Sequence, residues 1–253
     1  MSNKVIFITG ATSGFGEASA KLFAKNGWKI IATGRRIKRL EKLQNELGKQ
    51  QVHIAKMDLM DSHSIKNAIS EIPQNFKPVT CLLNNGGLAL GLNPIPDIKL
   101  EDWRIMVETN IMGLITTTQE MIPLLEEAGK GASIINIGST AGHYPYRGGN
   151  AYGATKAFVA QFSANLRTDL EGSDIRVTEL APGMAKSEFT KVRTYGDDEA
   201  NESLYAGLEP ILPQDIAETA FWLATRPHYI NVNSIEIMPL CQTPAGLKVT
   251  KPK

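Results

Sequence analysis

The sequence predicts a single α/β domain built on a doubly wound parallel sheet of about seven strands, and three observations carry that prediction. Short β-branched runs alternate with longer segments of helical period along the whole 253-residue chain, the pattern of a parallel sheet covered on both faces. A glycine-rich turn, Gly10-Ala11-Thr12-Ser13-Gly14-Phe15-Gly16, stands directly between the first such run and the first helical segment. No composition shift divides the chain, so residues 1–253 form one domain with a sizeable core.

Strands are expected over residues 4–9, 29–33, 52–58, 80–84, 133–138, 175–180 and 234–238, where short apolar runs are bounded by turn residues. Helices are expected between them. The first covers 15–25 and closes on Asn26-Gly27 as a C-cap; the second covers 37–47 and closes on Gly48. Residues 62–72, 100–127, 152–171 (closed by Gly172) and 213–225 supply the others. Right-handed crossovers then place the strand C-termini along one edge, where such sheets bind ligands. Residues 184–212 break the alternation, mixing Lys, Asp, Glu, Gly and Pro with isolated apolar residues. A connection of that length in a compact domain is expected to be a substrate lid after the sixth strand.

Composition excludes several function classes. The 27 basic and 26 acidic residues nearly cancel, with no Lys/Arg block or aromatic-basic interleaving, so a small molecule is the expected partner and nucleic acid is not. The N-terminal apolar run, Val5-Ile6-Phe7-Ile8, is too short for a signal segment or membrane span. Cys81 and Cys241 lack CxxC partners, which argues against a disulfide framework and for a reducing cytoplasm. His53, His63, His143 and His228 show no metal-ligand spacing; no metal is expected, and each reads as a surface or loop histidine, His143 being the one near the candidate site.

The turn between strand and helix suits a pyrophosphate, because its glycines let the backbone approach and the helix N-terminus offers unpaired N–H groups. Thr12 and Ser13 would either donate hydroxyls to phosphate or cap the helix. After the second strand, where NAD sites tend to carry an acid, the chain reads Gly34-Arg35-Arg36. Two guanidinium groups suit a 2′-phosphate, which predicts NADP(H).

Tyr152 and Lys156 are four apart, so a helix sets them on one face with the phenol in reach of the ammonium group. A free tyrosine has a pKa of about 10, and a nearby positive charge would ease proton exchange near neutral pH.

With the glycine turn, Asn84-Asn85-Gly86-Gly87, Ser139 and Tyr152-x3-Lys156 in this order, the chain resembles the short-chain dehydrogenase/reductase family over essentially its whole length. The resemblance implies a Rossmann-type domain, usually a homotetramer, that transfers hydride between a nicotinamide and a carbonyl or alcohol carbon. It implies Tyr152 as proton donor, Ser139 as partner of the carbonyl oxygen, Lys156 as phenolate stabiliser and ribose ligand, and Asn110 as holder of a relay water. It also places Asp58 and Leu59 at the adenine, Asn84 and Asn85 beside the ribose, and Pro182, Gly183, Met184 and Ser187 at the nicotinamide end. Two positions depart from the usual pattern: Gly86 stands where Ala is common and Ser187 where Thr is common, and each keeps the property needed.

Within the family, the segments around Gly34, Gly87, Ser139 and 162–169 look like the 3-hydroxy acid dehydrogenases and sulfoacetaldehyde reductases. Both handle short substrates with an acidic end, which needs a cation in a desolvated site. Arg193 with Tyr146 is the expected acid-binding pair, Arg147 the reserve. Residues 180–194 look closer to sulfoacetaldehyde reductases, making sulfoacetaldehyde reduction to isethionate the expected reaction and 3-hydroxy acid oxidation the alternative.

Overall fold

A computed structural model describes residues 4–95, 97–244 and 249. Seven parallel strands form one sheet: β1 (Val5–Ile8), β2 (Lys29–Gly34), β3 (Val52–Lys56), β4 (Cys81–Asn84), β5 (Ser133–Ile137), β6 (Arg176–Pro182) and β7 (Ser234–Ile237). Their order is β3-β2-β1-β4-β5-β6-β7. The chain builds outward from β1 in one direction and then restarts at β4 in the other. That reversal opens a crevice beyond the C-termini of β1 and β4, where ligands bind in sheets of this kind.

Alternation along β1 shows how one strand serves two cores. Ile6 and Ile8 join the cluster that contains Phe23, Trp28, Leu40 and Leu223, beneath α1 (Gly14–Lys25), α2 (Ile37–Leu47) and α9 (Pro213–Ala224). Val5 and Phe7 face the opposite cluster with Ile65, Met121, Leu125 and Leu166, beneath α3 (Ser62–Ser70), α5 (Gly113–Ala128) and α6 (Asn150–Asp169). A strand buried on both faces must be apolar throughout, and Val5–Ile8 is. Buried Arg176 ties the far side of the sheet down by donating to the Leu223 and Ala224 carbonyls at 2.8 and 3.1 Å, next to the negative end of α9.

Two expectations need correction. The single helix over 100–127 is three stretches: α4 (Leu100–Val107), a π-turn at Glu108–Met112, and α5. The backbone stays helical across the joints, so the apolar period reads as continuous while one turn is wider and buries Thr109 and Asn110. The segment 184–212 holds two helices, α7 (Glu188–Arg193) and α8 (Asp198–Tyr205). Both are too short for an apolar period to show. Their anchors are buried Thr190 and Tyr205, whose hydroxyls lie 2.7 Å apart, and Tyr205 also donates to the Ala185 carbonyl. Among the described residues no helix is long and apolar enough to cross a membrane.

Candidate active site

At the strand C-termini lies a cavity of about 610 Å³, running from the glycine turn past Ser139 and Tyr152 to α7. Its first end is the turn between β1 and α1, where Gly10, Thr12, Ser13, Gly14 and Phe15 face the cavity. Gly10 has φ +69°, and a Cβ there would stand 2.9 Å from the Gly86 Cα, so only glycine lets these two loops meet. Gly16 lies behind the turn, where a Cβ would be 2.5 Å from the Gly10 carbonyl oxygen; it shapes the turn from outside the cavity. Gly86 is as tight, since a Cβ there would reach within 2.5 Å of the Leu59 side chain.

Arg35, Arg36, Asp58 and Leu59 line the same end. Arg36 donates from Nε and Nη2 to Thr12 Oγ1 at 3.0 and 2.7 Å and from Nη2 to Ser13 Oγ at 2.7 Å. The two hydroxyls therefore orient a guanidinium fork, and Ser13 makes no side-chain cap on α1. The glycine cradle, the absence of an acid after β2 and this oriented fork fit a dinucleotide with a 2′-phosphate.

Asn85 faces the cavity and donates to the Thr9 and Gly10 carbonyls, but Asn84 does not reach it. The Asn84 amide is turned into the protein, 3.0 Å from Thr118 Oγ1 and 2.9 Å from Asn136 Oδ1, because β4 alternates and its last residue points to the helix side. Asn110 also lies behind the cavity wall. Its amide accepts from the Leu88 N–H at 2.9 Å and donates to the Leu88 carbonyl at 2.8 Å, and the π-turn aims it there. The side chain thus holds the loop after β4 and touches Thr155 on α6.

The central group comes from β5 and α6. Ser139 caps a short turn at Thr140–Gly142, its Oγ accepting from the Ala141 N–H at 3.1 Å. Tyr152 is 9 % exposed and packs with Ala89 and Met106, 5.3 Å from the Phe189 ring. Burial pushes its pKa up to about 12; the Ser139 hydroxyl and Arg193 pull the other way, while Tyr146 adds to the rise. Lys156 stands over the face of the Tyr152 ring, as their spacing on one helix predicts. Lys156 Nζ donates to the Ile137 carbonyl at 2.7 Å and lies 5.9 Å from the centre of the Tyr152 ring, over its face. Burial lowers its own pKa to about 8, against the opposing pull of Glu179.

Glu179 belongs to a cluster next to this centre. His143 bridges it to Glu236, with Nε2 3.1 Å from Glu179 and Nδ1 2.7 Å from Glu236. Burial lowers the His143 pKa, but the two carboxylates outweigh it and leave the imidazole above its usual range. His143 is therefore a tie between the Ser139 turn and strands β6 and β7 rather than an ordinary loop residue.

The second end of the cavity is closed by residues 182–193. Pro182, Gly183, Met184 and Ser187 line it, and Ser187 caps α7 by accepting from the Phe189 N–H. Arg193 and Tyr146 meet, Nη2 donating to the phenol at 2.8 Å, and the guanidinium lies 5.5 Å from the centre of the Tyr152 ring. Arg193 also donates to the Gly91 and Gly148 carbonyls. Arg147 is exposed and away from the cavity, which removes it as a reserve.

Sequence reasoning missed three contributors. Gln242 reaches in from beyond β7 and accepts from the Met184 N–H at 2.7 Å; a lone glutamine carries no signal for this. Arg39 stands three residues after Arg36, a spacing that makes the two neighbours on the start of α2. Both Arg36 and Arg39 bind Glu188 of α7, a pairing across some 150 residues that no local pattern reveals.

Residues 4–197 match the family model described as short chain dehydrogenase. A serine 3-dehydrogenase of Rhizobium radiobacter is 51 % identical over 244 residues, covering 96 % of this chain and 97 % of that protein. A sulfoacetaldehyde reductase of Chromohalobacter salexigens is 48 % identical over 248 residues, 98 % of both chains. Among solved structures, the closed form of serine dehydrogenase complexed with NADP+ superposes with a TM-score of 0.93 at 44 % identity, covering 98 % of this chain and 100 % of that one. The Tyr152–Lys156 pair beside Ser139, the glycine turn at the β1–β4 crevice and these matches lead to one conclusion: the chain belongs to the short chain dehydrogenase family.

Proposed function

We propose that this chain is an NADP(H)-dependent oxidoreductase that interconverts a short aldehyde bearing an acidic end group and the corresponding alcohol. The observation that carries this reading is the Arg193–Tyr146 pair, set against the Tyr152 ring and opposite Ser139 in one cavity. An oxidoreductase for neutral aldehydes has no need of a part-buried guanidinium there. NADP(H) is supported by Arg35 and Arg36 at the end of β2 and by the NADP+ bound in the superposed serine dehydrogenase.

Held by the glycine turn, Arg35 and Arg36, a bound dinucleotide would provide the hydride for the carbonyl carbon. Ser139 Oγ would donate to the carbonyl oxygen, giving up its contact with the Pro182 carbonyl, which is long at 3.4 Å. Tyr152 would give its proton to the same oxygen; with its pKa up to about 12 it stays protonated throughout the working range. Lys156 would hold the ribose and supply the nearby positive charge, and Asn110 would act by holding the Leu88 loop. Residues 184–212 form the lid in this reading, because α7 carries Arg193 over the substrate end.

Within the substrate class, reduction of sulfoacetaldehyde to isethionate is the first reading. The second, a 3-hydroxy acid dehydrogenase acting on 3-hydroxypropionate, serine or allo-threonine, has a specific observation in its favour: the serine 3-dehydrogenase is as similar as the sulfoacetaldehyde reductase. An NADPH-oxidation screen over short aldehydes with sulfonate, carboxylate or neutral ends tests all of this. A neutral aldehyde turned over as well as the acidic ones would refute the class, and the ratio of sulfoacetaldehyde to malonic semialdehyde turnover separates the two readings.

The pH dependence follows from Lys156. Its charged form is the active one, and its pKa is lowered to about 8, so kcat/KM for reduction should be flat below that pH and fall above it. Tyr152 adds no break in the same range. A profile flat to pH 10 would show that the Lys156 charge is not required.

A further inference from the structure

Arg36, one of the two arginines assigned to the 2′-phosphate, already holds a carboxylate together with Arg39. Glu188, the first residue of α7, lies 2.9 Å from Arg36 Nη1 and 2.8 Å from Arg39 Nη1, the latter touching both carboxylate oxygens. Thr12 and Ser13 hold the remaining edge of the Arg36 fork, so Glu188 occupies the donor that faces across the cavity. The opposite end of the same short helix carries Arg193, bound to Tyr146, Gly91 and Gly148. Helix α7 is thus pinned at one end by Arg36 and Arg39 and at the other by Tyr146, Gly91 and Gly148.

We propose that Glu188 competes with the cofactor's 2′-phosphate for Arg36 and Arg39, so that binding the phosphate releases the N-terminal pin of α7. This rests on the NADP(H) reading above. A phosphomonoester carries up to two charges and three acceptor oxygens, against one charge and two oxygens for the carboxylate, so it displaces Glu188 from the guanidinium groups. Partial burial raises the Glu188 pKa, but the hydrogen bonds from Arg36 and Arg39 outweigh this and leave it below the usual carboxylate range. The competitor is therefore a carboxylate anion at neutral pH. Its presence makes the affinity for a 2′-phosphorylated nucleotide weaker than the arginines alone would give, and it links cofactor arrival to the segment that carries Arg193.

The test is calorimetric titration of the full chain with adenosine 2′,5′-bisphosphate and, separately, adenosine 5′-monophosphate. Because both ion pairs are solvent-exposed, Glu188→Gln should tighten the bisphosphate by on the order of threefold and leave the monophosphate unchanged. Glu101→Gln removes an exposed charge elsewhere, paired with Arg104 on α4, and should change neither. If the wild type prefers the bisphosphate and Glu188→Gln binds it no more tightly, the competition is refuted while the cofactor reading stands. If the wild type shows no preference for the bisphosphate, the cofactor reading fails and the competition falls with it.

Discussion

Replacing Tyr152 with phenylalanine is expected to lower kcat/KM for aldehyde reduction by roughly 10²- to 10⁴-fold, the usual worth of a positioned proton donor. Phenylalanine keeps the ring that packs with Ala89, Met106 and Phe189, so the variant should fold and bind dinucleotide as the wild type does. Steady-state rates, set beside thermal melting and fluorescence titration with NADPH, check both halves. Wild-type turnover in a folded Tyr152→Phe variant would remove this residue from the chemistry. The environment sharpens the expectation: a phenol with its pKa up to about 12 has few substitutes at neutral pH, since bulk water cannot enter freely beside a side chain 9 % exposed.

Arg193→Ala is expected to raise KM for an acidic aldehyde by about ten- to a hundredfold, the equivalent of losing a hydrogen bond to a charged group worth ~1.5–3 kcal/mol. A neutral aldehyde of the same length should change little, and that contrast separates anion recognition from loosening of the loops that Arg193 also holds through Gly91 and Gly148. Arg193→Lys retains the charge but loses the planar fork that reaches Tyr146 and two carbonyls at once, so it should recover only part of the affinity. An unchanged KM for both acidic and neutral substrates would remove Arg193 from substrate binding.

How much of the site was legible depended on how local its signals were. Tyr152 and Lys156 could be placed on one face of a helix from their spacing, and α6 does place them so. The distance between charge and phenol oxygen could not, because the Ile137 carbonyl on a neighbouring strand takes the ammonium group. Asn84 and Asn85 are adjacent in sequence, yet strand alternation sends one into the protein and the other toward the cavity. The pairing of Arg193 with Tyr146 was expected from the chemistry of an acidic substrate, and the structure brings the two together.

The sequence by itself determined the strand and helix alternation, the glycine turn after β1, the arginines after β2 and the Tyr–Lys pair. Each is written in contiguous residues or in a short period, so local sterics and patterning suffice to read it. Only the tertiary structure decided the directions of the pKa shifts, the inward turn of Asn84 and Asn110, and the arrival of Gln242 and Glu188 at the cavity. Burial and charge pairing depend on groups that are distant in the chain, and their partners exist only once the sheet has brought its C-terminal edge together.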